Sequence, residues 1–294
     1  DLFQNADHKE TMITSNHAPS SRVQKPHNLA GCSYIEPYAG GAAVALELLF
    51  EEYATTVQIN DLDTSVYAFW YSIVHWSKQF IKKVRETPVN MNQWYAMRDI
   101  QKDPHASLFQ LGFSTFFLNR TNRSGILTGG IIGGKDQDGK WKMDCRFNKE
   151  NLIPRIAKIG RYRDRIAVTN KDAAHLLNEI GSSSDSHENL LFYLDPPYCG
   201  KPTDELYKDS YGAGDHAEVA QRVKNAPGSW LLSYDNVPQV RELYRDYEYI
   251  DYDISYTAQD KYEGSELLFG GSPEMLYVQR TNPLWTSCSV GGGP

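Results

Sequence analysis

The sequence predicts an α/β protein built on a parallel sheet and interrupted by an inserted module. Three observations carry that expectation. Strand and helix patterns alternate toward both ends of the chain. The apolar run Leu190-Leu191-Phe192-Tyr193-Leu194 reads as a buried parallel strand, and Asp195-Pro196-Pro197-Tyr198 follows it at once. Asp61 and Asp195 stand 134 residues apart, whereas two compact strand–helix crossovers need about 60 to 70.

Taken in order, residues 1–32 form a polar segment without the apolar stretch of a signal peptide. The absence of an initiator Met points to a trimmed start. Ser33 to Glu36 predicts the first strand, Pro37-Tyr38-Ala39-Gly40-Gly41 a turn, and Ala42 to Glu52 a helix. Thr55 to Asn60 alternates as a second strand and ends at Asp61; a helix follows over Ser65 to Lys78. From Gln79 to Asp164 the rhythm breaks, with aromatic and basic segments alternating with Gly-rich ones. That stretch, 79–164, is the expected insertion, and 33–78 with 165–280 make one discontinuous domain. Arg165 to Thr169 resumes as a strand, Asp172 to Ile180 as a helix, and Gly181 to Asn189 as a polar loop. After the Asp195 turn come a helix (Asp215 to Asn225), a strand (Trp230 to Tyr234) and a helix (Val237 to Tyr244). The closing strands are Tyr247 to Tyr252 and Glu274 to Gln279, and 281–294 reads as a disordered tail.

With 294 residues and 40% hydrophobic content, the chain can hold one large domain or two ordinary ones. No run approaches the roughly 18 apolar residues of a membrane span. Cys32, Cys145, Cys199 and Cys288 show no metal-ligand spacing, which suits free thiols in a reducing cytoplasm. The net charge of −7 by itself argues against nucleic-acid binding. Its distribution reverses that. Residues 101–170 hold 13 Lys plus Arg against 6 Asp plus Glu, a net of +7, which leaves the remainder at −14. A basic segment on an acidic body is the mark of a polyanion-binding module, although a solvated basic face gives the same count.

Asp195-Pro196-Pro197-Tyr198 suits a flat ring bearing an amine. The carboxylate and a prolyl carbonyl accept the two amine hydrogens, and the tyrosine stacks. In open α/β sheets ligands sit at this end of the strands. The plain alternative is a strand-ending turn. Glycines in Glu36-Pro37-Tyr38-Ala39-Gly40-Gly41 let the backbone approach a ligand, without a dinucleotide fingerprint. Asp61 is placed either to bond ribose hydroxyls or to cap a helix, and Asp172 either to cap one or to meet an adenine amine. Gly129 to Lys135 matches a phosphate-loop spacing, but Asp136 replaces the Ser/Thr that would hold magnesium.

Together these motifs resemble the Dam-like adenine family of amino-methylating DNA methyltransferases, over roughly Tyr34 to Gln279. Phe116-Phe117-Leu118-Asn119-Arg120 with Ser124-Gly125 is similar to that family's Asn-Arg…Gly segment. Leu232-Ser233-Tyr234-Asp235 and Ser265-Glu266-Leu267-Leu268 add to the likeness, and the motif order is of the alpha type. The resemblance implies a Rossmann-like methyltransferase sheet with an inserted target-recognition domain. S-adenosylmethionine would lie over Glu36, Pro37, Tyr38, Ala39, Gly40, Gly41, Asp61 and Asp172 and leave as S-adenosylhomocysteine, with no metal. Asp195, Pro196, Pro197 and Tyr198 would hold an adenine flipped out of duplex DNA. Asn119, Arg120, Arg123, Ser124, Lys135, Lys140, Lys142 and Arg146 would contact that DNA. A restriction or defence partner and a cytoplasmic, nucleoid-associated location complete the expectation. The family's opening Gly-Gly-Lys motif is not found between Asp1 and Gly31, where Lys9 and Lys25 are candidate substitutes. Two other readings use the same edge: an RNA or cytosine amino-methyltransferase, and a catalytically impaired nucleic-acid-binding protein.

Overall fold

The computed structural model describes residues 31–183, 189–199, 213–256, 262–271 and 290–291. The polar start with Lys9, Lys25 and the missing Gly-Gly-Lys motif, the strand expected at Glu274 to Gln279, and Cys288 all lie outside these residues. So does most of the 281–294 tail. The described residues form two compact units. One comprises 40–42 and 61–170; the other comprises 31–39, 43–60 and the chain from 171 onward.

The second unit is the sheet. Its strands are β1 (Cys32–Glu36), β2 (Ala54–Asn60), β4 (Leu190–Leu194), β5 (Ser229–Asp235), β6 (Tyr249–Tyr256), β7 (Tyr262–Gly270) and the two-residue β8 (Val290–Gly291). They run in the order β2-β1-β4-β5-β7-β6-β8. β1, β2, β4 and β5 are parallel neighbours, whereas β7 runs antiparallel to both β5 and β6. β4 is apolar on both faces, as an interior parallel strand requires, and both β4 and β5 are almost wholly buried. Helices α1 (Ala43–Phe50), α7 (Ala173–Gly181), α8 (Ala213–Lys224) and α9 (Pro238–Leu243) belong to this unit. Its core joins Ile35, Phe192, Leu194, Leu232 and Phe269 to Leu177, Val223 and Tyr244. The family-like strand β7 carries Glu263, Gly264, Ser265 and Glu266 ahead of its apolar residues Leu267, Leu268 and Phe269. Those residues hide its period, so it was not anticipated as a strand.

The first unit is helical: α2 (Thr64–His75), α3 (Ser77–Glu86), α4 (Met91–Ile100), α5 (Leu108–Thr121) and α6 (Lys149–Arg161), with the short strand β3 (Ile166–Thr169) at its end. The expected helix over Ser65 to Lys78 stops at His75, because Trp76 leaves helical geometry at φ −123°, ψ 33°. The stretch read as alternating aromatic and basic segments is thus largely four helices and one long irregular loop. α5 starts with a reciprocal cap, in which Ser107 Oγ accepts from Gln110 N at 3.3 Å and Gln110 Oε1 accepts from Ser107 N at 2.9 Å. An aromatic core holds the unit. The buried Phe80 ring meets Phe69, Phe109, Phe113 and Phe116 at centroid distances of 5.4 to 6.3 Å, within the range of favourable ring pairs. Among the described residues no helix is long and apolar enough to cross a membrane.

α5 approaches α2 most closely at Gly112, where a Cβ would lie 2.2 Å from the carbonyl oxygen of Ala68. Backbone cannot retreat as a side chain can, so Gly112→Ala should force the two helices apart. We expect a loss of about 1–3 kcal/mol, read as a lower urea midpoint; an unchanged midpoint would contradict this packing.

Candidate active site

In the sheet unit, the chain leaves the carboxyl end of β1 at Glu36, whose side chain is buried. The turn that follows is tied down by Asn60, the last residue of β2, which is itself fully buried. Asn60 Nδ2 donates to the carbonyls of Pro37 and Lys171, each at 2.9 Å, and its Oδ1 accepts from Lys171 N at 3.0 Å. The backbone carbonyl of Asn60 accepts from Ala39 N at 2.9 Å. One amide side chain therefore fixes the exits of two neighbouring segments. Asp172 caps α7, its Oδ1 accepting from His175 N at 2.9 Å. The helix-cap reading of that acid is thus realised.

In the helical unit, Gly40 has φ +45°, a conformation that favours glycine. Among the described residues nothing lies within 4 Å of where its Cβ would be. Asp61 grips this glycine: Oδ2 accepts from Gly40 N and Oδ1 from Asp63 N, both at 2.9 Å. Trp70 Nε1 donates to the Gly40 carbonyl at 2.9 Å. The cap of α2 is Asp63 rather than Asp61. Asp61 instead shapes the glycine turn.

The Asp195 turn leaves the carboxyl end of β4. The parallel register Tyr34↔Leu191 puts Tyr34 and Glu36 on the sheet face that carries Tyr193 and Asp195. The electrostatics agree. The fully buried Tyr34 hydroxyl is held well above the usual phenol range, first by burial and then by the neighbouring acidic groups Glu36, Tyr193, Cys32 and Asp195. Pro196 is buried, whereas Asp195, Pro197 and Tyr198 are half-buried. Beyond them, the Tyr198 hydroxyl donates to Glu266 Oε1, and Cys199 N donates to Asp235 Oδ1 at 3.0 Å. Glu266 Oε2 also accepts from Tyr252 at 2.6 Å and from Ser233 at 3.1 Å. Asn60 and Tyr252 were not foreseen from sequence. The sign that Glu266 mattered was a carboxylate directly before the apolar run Leu267-Leu268-Phe269, since a buried charge demands partners. Among the described residues no three His, Cys, Asp or Glu side chains are grouped to hold a metal ion.

The predicted DNA-contacting residues divide into two sets. Arg123, Ser124, Lys135, Lys140 and Lys142 are exposed on the irregular stretch between α5 and α6. Lys142 Nζ donates to the Gln137 carbonyl, and Lys140 lies 5.7 Å from the ring centre of Trp141, which is 65% exposed. Asn119, Arg120 and Arg146 instead turn inward. Arg120 is only 8% exposed, and its Nε donates to the Arg146 carbonyl at 3.1 Å. Arg146 reaches the carbonyls of Asn119, at 2.7 Å, and Asn122. Asn119 Nδ2 donates to the Gly125 carbonyl at 3.1 Å. Burial, then the nearby Arg146 and Arg155, pull the Arg120 guanidinium down to about 10. Asn122, also unforeseen, accepts from Trp94 Nε1 at 2.7 Å and donates to the carbonyls of Ile126 and Leu127.

Residues 21–257 match the family model of the D12 class N6 adenine-specific DNA methyltransferases. The chain belongs to that family. The D12 class comprises S-adenosylmethionine-dependent enzymes that methylate the 6-amino group of adenine in DNA, and the α/β sheet described above is the methyltransferase sheet. No curated protein matches the chain. Two solved structures of the rRNA methyltransferase aviRa from Streptomyces viridochromogenes are similar at 10% identity. One covers 94% of this chain and 97% of its own with a TM-score of 0.35, the other 95% and 98% with 0.31. Likenesses this loose say nothing about the substrate of this D12-class chain.

Burial also raises the Cys32 thiol from its ordinary 9.0 to about 11, and the Tyr252 hydroxyl is raised by burial and then by Glu266. Each such group, like Tyr34, binds its proton more tightly folded than unfolded. Their contribution is complete below about pH 9 and is lost as pH rises through the folded values. The melting temperature should therefore fall as pH rises from about 9 to 11. A flat or rising profile would contradict a buried, protonated sheet face.

Proposed function

We propose that the Asp195-Pro196-Pro197-Tyr198 turn receives an adenine extruded from duplex DNA. Glu36 to Gly41, with Asp61 and Asp172, would hold S-adenosylmethionine. The observation that supports this most is the placement of Asp195 at the carboxyl end of β4, on the face of Tyr34 and Glu36, one short turn before an anchored aromatic ring. The residues fit the cofactor's chemistry. The open space over Gly40 admits a ligand to the backbone, and the carboxylates of Glu36 and Asp61 suit an ammonium group and ribose hydroxyls. When bound, S-adenosylmethionine supplies a methyl group on a sulfonium centre.

The remaining chemistry falls to the chain. The lone pair of the adenine 6-amino nitrogen is delocalised into the ring. Accepting its two hydrogens at Asp195 and the Pro196 carbonyl favours a pyramidal nitrogen with an available lone pair. Asp195 also stabilises the positive charge that develops there. An ordinary aspartate titrates near 4 and is a weak base, so the proton is lost after transfer rather than before. Tyr198 stacks on the base, a contact of about 1–3 kcal/mol. A base within a duplex cannot enter such a site, so it is flipped out.

The inserted helical unit is the target-recognition module in this reading. Arg123, Ser124, Lys135, Lys140 and Lys142 contact the DNA, while Asn119, Arg120 and Arg146 brace the loop that displays them. A cytoplasmic, DNA-associated location follows from the substrate, and a restriction or defence partner is the natural setting for a site-specific enzyme.

Asp195→Ala should lower methyl transfer by about 10²–10³-fold or more while leaving DNA affinity nearly intact; turnover near wild type would remove Asp195 from the reacting centre. Lys142→Ala should weaken duplex binding and reduce the slope of log K against log salt by about 1. An unchanged slope in a filter-binding titration would strike Lys142 from the phosphate contacts.

A further inference from the structure

Glu266 is fully buried in β7, level with the carboxyl end of β5, and it touches the Asp195 turn. A buried carboxylate is costly unless its oxygens are hydrogen-bonded. Here three hydroxyls serve it: Tyr198 at Oε1, and Tyr252 and Ser233 at Oε2. The Ser233 and Tyr252 hydroxyl oxygens also lie 3.0 Å from one another. The antiparallel register sets Glu266 directly opposite Asp235 of β5, and Asp235 takes the amide of Cys199. Two acids facing each other across one strand pair thus hold two consecutive residues of the turn, one by its side chain and one by its main chain.

We infer that Glu266 is a positioning residue for methyl transfer: it fixes the ring plane of Tyr198 so that the ring is already oriented for the extruded base. A half-buried tyrosine on a turn retains rotational freedom unless its far end is held. The hydroxyl is that far end, and β7 is a rigid support for it. Preorganised groups contribute most to rate when their orientation is set before the substrate arrives. The inference rests on the reading of Tyr198 as the stacking residue.

The test measures transfer of tritiated methyl groups from S-adenosylmethionine into unmethylated duplex DNA of mixed sequence. The full chain is compared with Glu266→Gln, Tyr198→Phe and the double variant. Tyr198→Phe keeps the ring and deletes only the hydroxyl. Each single variant should lower kcat about tenfold and leave KM for S-adenosylmethionine within about twofold. The double variant should be no slower than the slower single one, since both remove the same bond. Independent losses that multiply to about a hundredfold in the double variant would overturn the inference. So would a Glu266→Gln protein that melts earlier yet turns over at the wild-type rate, because Glu266 would then serve stability alone. Should Glu266→Gln fail to fold, Tyr198→Phe decides by itself, and a wild-type kcat in that variant refutes the role. A wild-type chain that transfers no methyl group to DNA would sink the functional reading and this inference with it. An active wild type with uncoupled variants sinks only the inference.

Discussion

Where a parallel strand ends, the chain leaves its ladder and must find other partners for every polar group it carries. That constraint governs this protein more than any other. Each strand exit that bears site residues is held by a side chain sent from a neighbouring segment. Asn60 binds the backbone after β1 and the backbone at Lys171. Asp61 binds the glycine turn. Glu266 and Asp235 bind the turn after β4. The ties from Asn60, Asp235 and Glu266 come from polar side chains at a strand end or inside a strand, so those turns inherit the rigidity of the sheet without being part of it.

The helical unit solves a different problem. It must present cations to solvent on a stretch with little regular structure, and irregular backbone has many unsatisfied groups. Trp94 and Asn122 knit one part of the stretch together, and Arg120 and Arg146 another. Two of the arginines that give the segment its positive balance are therefore consumed internally. Arg123 and the loop residues Lys135, Lys140 and Lys142 stay exposed. Beneath this layer, the rings around Phe80 supply an apolar foundation that does not depend on the loop.

Much of this was legible in the sequence. β4 announced itself because a buried strand can be a continuous apolar run and β2 because it alternates, and the glycine and Asp195 turns because only a few residue types suit a strand exit. Helix ends shifted by a few residues, as at Trp76, where a local backbone choice has no sequence marker. β7 was missed because a strand whose charge is satisfied from within looks like a loop. Asn60 was missed because an amide that ties two remote segments gives no local pattern. Arg120 and Arg146 look the same in a list of basic residues as Lys140 and Lys142, and only burial separates them.

The bond between Tyr198 and Glu266 limits what the tyrosine can contribute to selectivity. A phenol has one proton, and this one is directed into the sheet. Under the proposed stacking role the face of the ring is left for the base, and a flat hydrocarbon surface accepts any base of suitable size. Discrimination between an adenine and another amine-bearing base must then come from the Asp195 end of the turn and from the shape of the space around it. Changing the enzyme's preferred base would accordingly mean redesigning that end, leaving the aromatic residue as it is.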